Sequence, residues 1–436
     1  MRITITDMTV RDIRFPTSEE LHGSDAIHTA PDYSCAYVEL RTATEGLTGT
    51  GLAFTLGRGN DVCVAMIEAF RDLVIGRELA DIYADMRAFW FSLTNDGQLR
   101  WLGPEKGVVH FGAAALVNAV WDLRAKAEGK PLWRLLADMS PQALIDCIDF
   151  QHIDDALTEA EAREILEAHV AGRRGRAAEL VETGLPSYTS SAGWLGYSDA
   201  QVGDRVRKYM ADGWTSFKMK VGVDIEAEVR RAALIRDVMG AEGRLMVDAN
   251  QVWSADQAIE CMARLAPCDP LWIEEPTHPD DILAHARIAK AVAPIGVAAG
   301  ECISNAVLYK QFMQAGAMSF CQIDSCRLGG VNEVLAVLLM AAKFDIPVCP
   351  HAGGVGLGEQ VQHLAAFNYL AVAPSLENVV IEHTDHLHEH FVHAVLMKNG
   401  RYQLPDAPGY SNTMKPASLH AYEFPGGRVW RSSAAH

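Results

Sequence analysis

Seven polar residues recur through the C-terminal half of the 436-residue chain, each where a short apolar run stops. They are Lys220 after SFKM, Asp248 after RLMV, Glu274 after LWI, Glu301 after GVAAG, Asp324 after FCQI, His351 after IPVCP and Glu382 after NVVI. Carboxylates, an amine and an imidazole are groups that bind hard cations and move protons. Consecutive members lie 23 to 31 residues apart. A strand, a helix and their loops need roughly thirty residues, so the repeat, with LPSYTS as a first strand, predicts a (β/α)₈-type barrel. In that fold the carboxyl ends of the strands converge on one mouth, where chemistry takes place. A simple doubly wound sheet would not bring successive strand ends together in this way.

Asp248, Glu274 and Glu301 would then set three carboxylates around one point. Like charges that close cannot all stay ionised in a dry cavity unless a cation neutralises them. An all-oxygen donor set favours Mg²⁺, with Mn²⁺ also suited. Any one of these acids could equally pair with an arginine or cap a helix; three in succession at strand ends point to a metal. Lys218 and Lys220 share a strand face by the period of two. Beside a divalent cation and a second ammonium, one lysine of the pair is expected to have a lowered pKa and to accept a proton. Its neighbour would stay charged and hold a substrate carboxylate. Asp324, one strand before His351, would fix the imidazole tautomer and make a general acid/base pair. A histidine taken alone is ordinarily structural, and the chain has 16.

A metal flanked by a lysine and a His–Asp pair suits removal of a proton α to a carboxylate, with the resulting enediolate charge stabilised by cations. The second group then either reprotonates the carbon, giving racemisation, or expels a β-hydroxyl, giving dehydration. A noncatalytic sugar-acid-binding barrel is the reading from another class, and the intact set of acids and bases speaks against it.

The elements that must position these groups are legible around the repeat. RITITDMTV, CAYVELRT and GTGLAFT alternate like antiparallel strands. The first two are separated by PTSEELHGSDAIHTAPDYS, a polar segment long enough to be a lid. A helical pattern with small residues begins near Gly112, and residues 150–183 form an acidic then basic helical insertion without recognisable chemistry. With 49% hydrophobic and 22% charged residues the composition is that of a soluble globular protein. A net charge of −18 argues against nucleic-acid or anionic-membrane partners. Nine cysteines without C-x-x-C pairs, and no leader-like apolar block, suit a reducing, cytoplasmic setting. A homo-oligomer is the base-rate expectation.

The motifs KMK, DAN, IEEP, AGE, IDSCRLGG, CPHAGG and VVIEH, in this order, resemble those of the mandelate racemase-like subgroup of the enolase superfamily. The helix AAALVNAVWDLRAKAEGKPLWRLL is similar to the one leading into that family's barrel. The resemblance covers most of the chain and implies a modified TIM barrel, (β/α)₇β, of the α/β class with an N-terminal α+β capping domain. It places the cap at 1–184, including an insertion at about 141–183 that departs from the family pattern. The barrel would span 185–400, and a segment from 401 to 436 would pack back on the cap. It implies Mg²⁺ on Asp248, Glu274 and Glu301, Lys220 and His351 as acid/base catalysts with Asp324 orienting the histidine, and Lys218, Asn250 and Glu382 contacting substrate. Within the subgroup the lid and the GLPSYTSSAGWLGYSD stretch are most similar to the L-fuconate dehydratases, which implies a small acid-sugar substrate. Ser24, Asp25 and Tyr33 on the lid, and Ser187 on the first strand, are the expected sugar-hydroxyl contacts.

Overall fold

The computed structural model describes residues 3–433. Strands β1 (Ile5–Arg14), β2 (Ser34–Thr42) and β3 (Thr48–Thr55) form an antiparallel sheet in that order. Its inner face packs on the helix Gly107–Ala127, whose residues are buried almost all round. Such a helix must be covered on both sides. The sheet covers one; on the other, Asn118 Nδ2 donates to the Ser325 carbonyl at 2.8 Å and Trp121 Nε1 to Asn332 Oδ1 at 2.8 Å, joining the cap to the barrel. Contact with β3 is close because Gly51 has no side chain; a Cβ there would lie 2.0 Å from the Ala115 carbonyl oxygen.

The insertion contains the helices Glu159–Ala168 and Arg173–Thr183, the first opened by a Thr158/Glu161 capping box. It is clamped to the barrel's outer helices, with Lys343 on Glu161 at 2.6 Å and Arg176 on the Leu370 carbonyl at 2.6 Å.

The barrel begins with β4 (Leu185–Gly193) and continues in parallel through β5 (Ser216–Lys220), β6 (Arg244–Asp248), β7 (Pro270–Glu274), β8 (Gly296–Ala299) and β9 (Phe320–Cys321). Its seventh stave is a single bridge at Val348, because Pro347 and Pro350 have no N–H to give to a ladder. Cys349 N to Cys321 O (2.8 Å) and His351 N to Ile323 O (3.0 Å) hold it on one side, and Glu382 N to Pro350 O (3.1 Å) on the other. Strand β10 (Ile381–His383) then pairs in parallel with β4 and closes the ring. Helices follow each of the first seven staves and none follows the eighth in the same way, the (β/α)₇β order. None of the described helices is long and apolar enough to cross a membrane.

A hairpin of β11 (Met397–Lys398) and β12 (Arg401–Tyr402) pairs antiparallel with Leu185 and Pro186 at the start of β4. The boundary expected at 400/401 therefore falls inside a hairpin of the barrel sheet. Beyond it the chain returns to the cap: Tyr410 N donates to buried Asp122 at 2.7 Å, and Phe424 N to the Asp12 carbonyl at 2.8 Å. His363 ties the same parts together, its Nδ1 accepting from Trp133 N and its Nε2 2.9 Å from Ser411 Oγ. Burial pushes His363 down to about 3.

Gly51→Ala should destabilise the protein by about 1–3 kcal/mol through overpacking of β3 on the helix, read as a lower urea midpoint. His363 takes up a proton near pH 6.5 when unfolded but only near 3 when folded. Its contribution to stability is thus present above about pH 6.5 and lost as the pH falls toward 3, at up to about 1.4 kcal/mol per pH unit. His363→Gln should flatten the fall in urea midpoint across that window; equal slopes would refute the assignment.

Candidate active site

The parallel register sets the strand ends level. Lys220 on β5 is the direct partner of Asp248 on β6, and Asp248 of Glu274 on β7. Side chains at matched positions of neighbouring strands project to the same side, and the three meet: Lys220 Nζ lies 2.6 Å from Asp248 Oδ2. Lys218, two residues back and 1% exposed, reaches Glu274 at 2.5 Å, Glu382 at 3.0 Å and Asp248 at 3.3 Å. Oxygens of Asp248, Glu274 and Glu301 all lie within 4.8 Å of one another. On the far strands His351 Nδ1 is 2.7 Å from Asp324 Oδ2, while its Nε2 stands 3.6 Å from both Glu301 and Glu382. Asp324 is itself fixed by the backbone N–H groups of Cys326 (2.8 Å) and Arg327 (2.7 Å).

A cavity of about 410 Å³ opens on this cluster between lid and barrel, with Lys220, Glu301, His351 and Glu382 on its barrel side. A second cavity of similar volume, between Trp90, Glu105 and Glu333, shares none of these residues.

The electrostatics follow from burial set against crowding. Burial and the adjoining Asp248 and Glu382 carboxylates push Glu274 well above the usual range, against the pull of Lys218. Burial also disfavours the charge on Asp248, but Lys220 and Lys218 overcome it and hold its pKa low. For Lys220, burial lowers the pKa and Asp248 in contact raises it further; the divalent cation on which the expected lowering depends would oppose that carboxylate. Burial likewise disfavours charge on His351, and Glu301 with Asp324 pushes its pKa up to about 10. The donor set fits Mg²⁺: three hard, clustered oxygens, with Glu274 raised by burial and by its acidic neighbours, are what a divalent cation would neutralise. Another acidic group, Glu275 with Glu301 and Cys302, is differently engaged. Glu275 accepts from Gln251 Nε2 at 2.5 Å and Cys302 N at 2.8 Å.

Among the expected substrate contacts, Asp25 and Tyr33 line the cavity. Asn250, held at φ +43° beside Asp248, leaves a buried Oδ1 without a protein partner. Ser24 is not brought to the cavity. Its Oγ accepts from Gly196 N at 3.0 Å, and its carbonyl from Leu195 N at 3.2 Å, pinning the lid to the loop after β4. Ser187 is also displaced from the expected place: it sits in the early half of β4, where its Oγ donates to the Gly400 carbonyl at 2.6 Å. Ser190 lies three residues on, lines the cavity, and has a buried Oγ without a protein partner. Sequence periodicity missed it because the β4–β5 register is irregular between Thr189 and Gly193. Trp194, Phe54, Leu56 and His28 complete the wall. Phe54, Leu56 and His28 come from the cap and Trp194 from the loop after β4, so this wall is built where cap meets barrel.

Comparison with known proteins bears on this geometry. Residues 13–137 match the mandelate racemase/muconate lactonizing enzyme N-terminal domain, and 201–418 the enolase C-terminal domain-like family. Mitochondrial enolase superfamily member 1 from Homo sapiens is 54% identical over 99% of this chain and 98% of its own. The crystal structure of that human protein superposes with a TM-score of 0.98, covering 100% of this chain and 99% of the other. L-galactonate dehydratase from Hypocrea jecorina is 49% identical over 97% of this chain and 95% of its own. An L-talarate dehydratase from Polaromonas sp. JS666, complexed with Mg and L-glucarate, shares the fold at a TM-score of 0.73 and 22% identity, covering 97% of each chain. With a capping sheet, a (β/α)₇β barrel and two family domains in their expected order, the chain belongs to the enolase superfamily.

Proposed function

We propose that the chain is a Mg²⁺-dependent acid-sugar dehydratase, a carbon–oxygen lyase that converts L-fuconate to 2-keto-3-deoxy-L-fuconate and water. The observation that carries this reading is the convergence of an amine, Lys220, and an Asp324-bound imidazole, His351, on one cavity beside three clustered carboxylates. The relative named L-galactonate dehydratase supports the reaction class. For the particular sugar the support is the cavity wall. Phe54, Leu56 and Trp194 present apolar surface, which suits the terminal methyl of a 6-deoxy acid better than a hydroxymethyl.

Asp248, Glu274 and Glu301 would hold the Mg²⁺, which when bound supplies stabilisation for negative charge developing on the substrate carboxylate. The residues do the proton chemistry. Lys220, in its neutral form, takes the proton from C2. His351 gives its Nε2 proton to the departing C3 hydroxyl, which leaves as water, while Asp324 holds Nδ1 and stabilises the ring orientation throughout. The enol left behind becomes the 2-keto-3-deoxy acid on gaining a proton at C3, supplied by His351 after it is reprotonated from water. Lys218, Asn250 and Glu382 contact the substrate, with Lys218 kept charged by the three carboxylates around it.

Lys220→Ala should lower turnover of L-fuconate by about 10²- to 10⁴-fold or more, and near-wild-type turnover would remove Lys220 as the base. Exchange of the C2 hydrogen in D₂O without loss of water would point to racemisation instead. Exhaustive chelation should abolish keto-acid formation, and Mg²⁺ should both restore it and raise the melting temperature; Glu301→Gln should weaken that thermal shift. Because an apolar wall rejects an added hydroxyl only weakly, kcat/KM for L-fuconate should exceed that for L-galactonate by no more than about 10²-fold. A preference for L-galactonate would overturn the choice of sugar.

A further inference from the structure

The lid segment from Asp25 to His28 is a turn organised by one side chain. Asp25 Oδ1 accepts from the backbone N–H of Ile27 at 2.8 Å and of His28 at 2.6 Å, and Asp25 N donates to the His28 carbonyl at 2.9 Å. The other carboxylate oxygen stands 2.9 Å from His28 Nδ1. Asp25 is buried with its hydrogen-bonding capacity directed within the turn, so it serves the histidine more than a ligand. The His28 side chain is 39% exposed and lines the cavity that also holds Lys220, Glu301 and His351. Since an ionised carboxylate only accepts, Nδ1 carries a proton and Nε2 is the nitrogen left to meet a ligand. The barrel repeats this arrangement at Asp324 and His351. Two imidazoles, each anchored at Nδ1 by an aspartate, thus line one chamber, and removal of the C2 proton and the C3 hydroxyl employs only the barrel's.

We propose that His28, oriented by Asp25, is a specificity-determining residue that binds a substrate hydroxyl beyond the reacting C2–C3 segment. The inference rests on the acid-sugar reading of the site. Neutral His28 accepts at Nε2 and protonated His28 donates there; a hydroxyl answers both states, a carboxylate only the second, and a methyl neither. The substrate class is therefore an extended polyhydroxylated monoacid. A short 2,3-dihydroxy acid such as glycerate would fill the reacting end and leave His28 without a partner.

The test uses the intact Mg²⁺-loaded enzyme and measures KM and kcat for L-fuconate together with the inhibition constant of glycerate against it. His28→Ala should raise KM for L-fuconate about 3- to 100-fold, the range for loss of one neutral or charge-assisted hydrogen bond, and leave the glycerate constant unchanged. His28→Gln, which keeps a polar group near Nε2, should recover part of the loss, and it serves as the informative variant if His28→Ala folds poorly. Asp25→Asn should shift KM in the same direction through misplacement of the ring. An equal change in both constants would show that His28 acts on the lid as a whole, and no change in either would show no contact; both outcomes overturn the proposal. A wild-type enzyme that dehydrates no acid sugar overturns the dehydratase reading and this inference together, whereas normal L-fuconate kinetics in His28→Ala sinks the inference alone.

Discussion

The mouth of the barrel is governed by the repulsion among carboxylates buried around one point. Asp248, Glu274 and Glu382 are 0–2% exposed at the side chain, and the Lys218 ammonium lies within 3.3 Å of all three. Removing one partner of such a buried cluster leaves uncompensated charge, which typically costs about 3–5 kcal/mol. Lys218 is therefore a condition of the folded barrel. Lys220 differs in being at the edge of the cluster, paired with Asp248 and open to the cavity. The same strand thus carries one cation locked into the wall and one at the wall's surface.

That arrangement requires a roof, because buried charge interactions weaken as water enters. The cap supplies it. The long helix Gly107–Ala127 holds the antiparallel sheet against the barrel, and the lid that leaves this sheet is fastened at Ser24 to the loop after β4. Tyr33 and Phe54, both from the sheet or its edge, meet edge to face at 5.2 Å and form part of the cavity wall. The smaller domain thus roofs the cavity, and the larger carries Lys220, His351 and the clustered carboxylates beneath it.

Much of this was legible in the residues. The interval between polar strand ends reflects how many residues a strand and its returning helix need, so it reads out the barrel without any packing detail. The juxtaposition of Lys220, Asp248 and Glu274 follows from the same interval, since level strand ends are hydrogen-bonded partners. What was not legible depends on contacts far apart in the chain. Ser187 was expected to contact the sugar, but it lies in the early half of β4, bonded to the Gly400 carbonyl, and Ser190, three residues nearer the mouth, lines the cavity instead. Ser24 carries the right chemistry for a sugar contact, yet its position is set by Gly196, 172 residues away. The raised pKa of Lys220 has a similar origin, because its balance is decided by which carboxylate touches it.

The first stave of the barrel, β4, is flanked on one side by β5 and on the other by β10, with the β11–β12 hairpin bracing its amino end. Beyond that hairpin, Glu423 reaches back to Arg11 on the opening strand of the chain. The circumference is accordingly shut by a strand far later in the chain than the one it pairs with, and without β10 the edge of β4 would stand open to pairing with another chain.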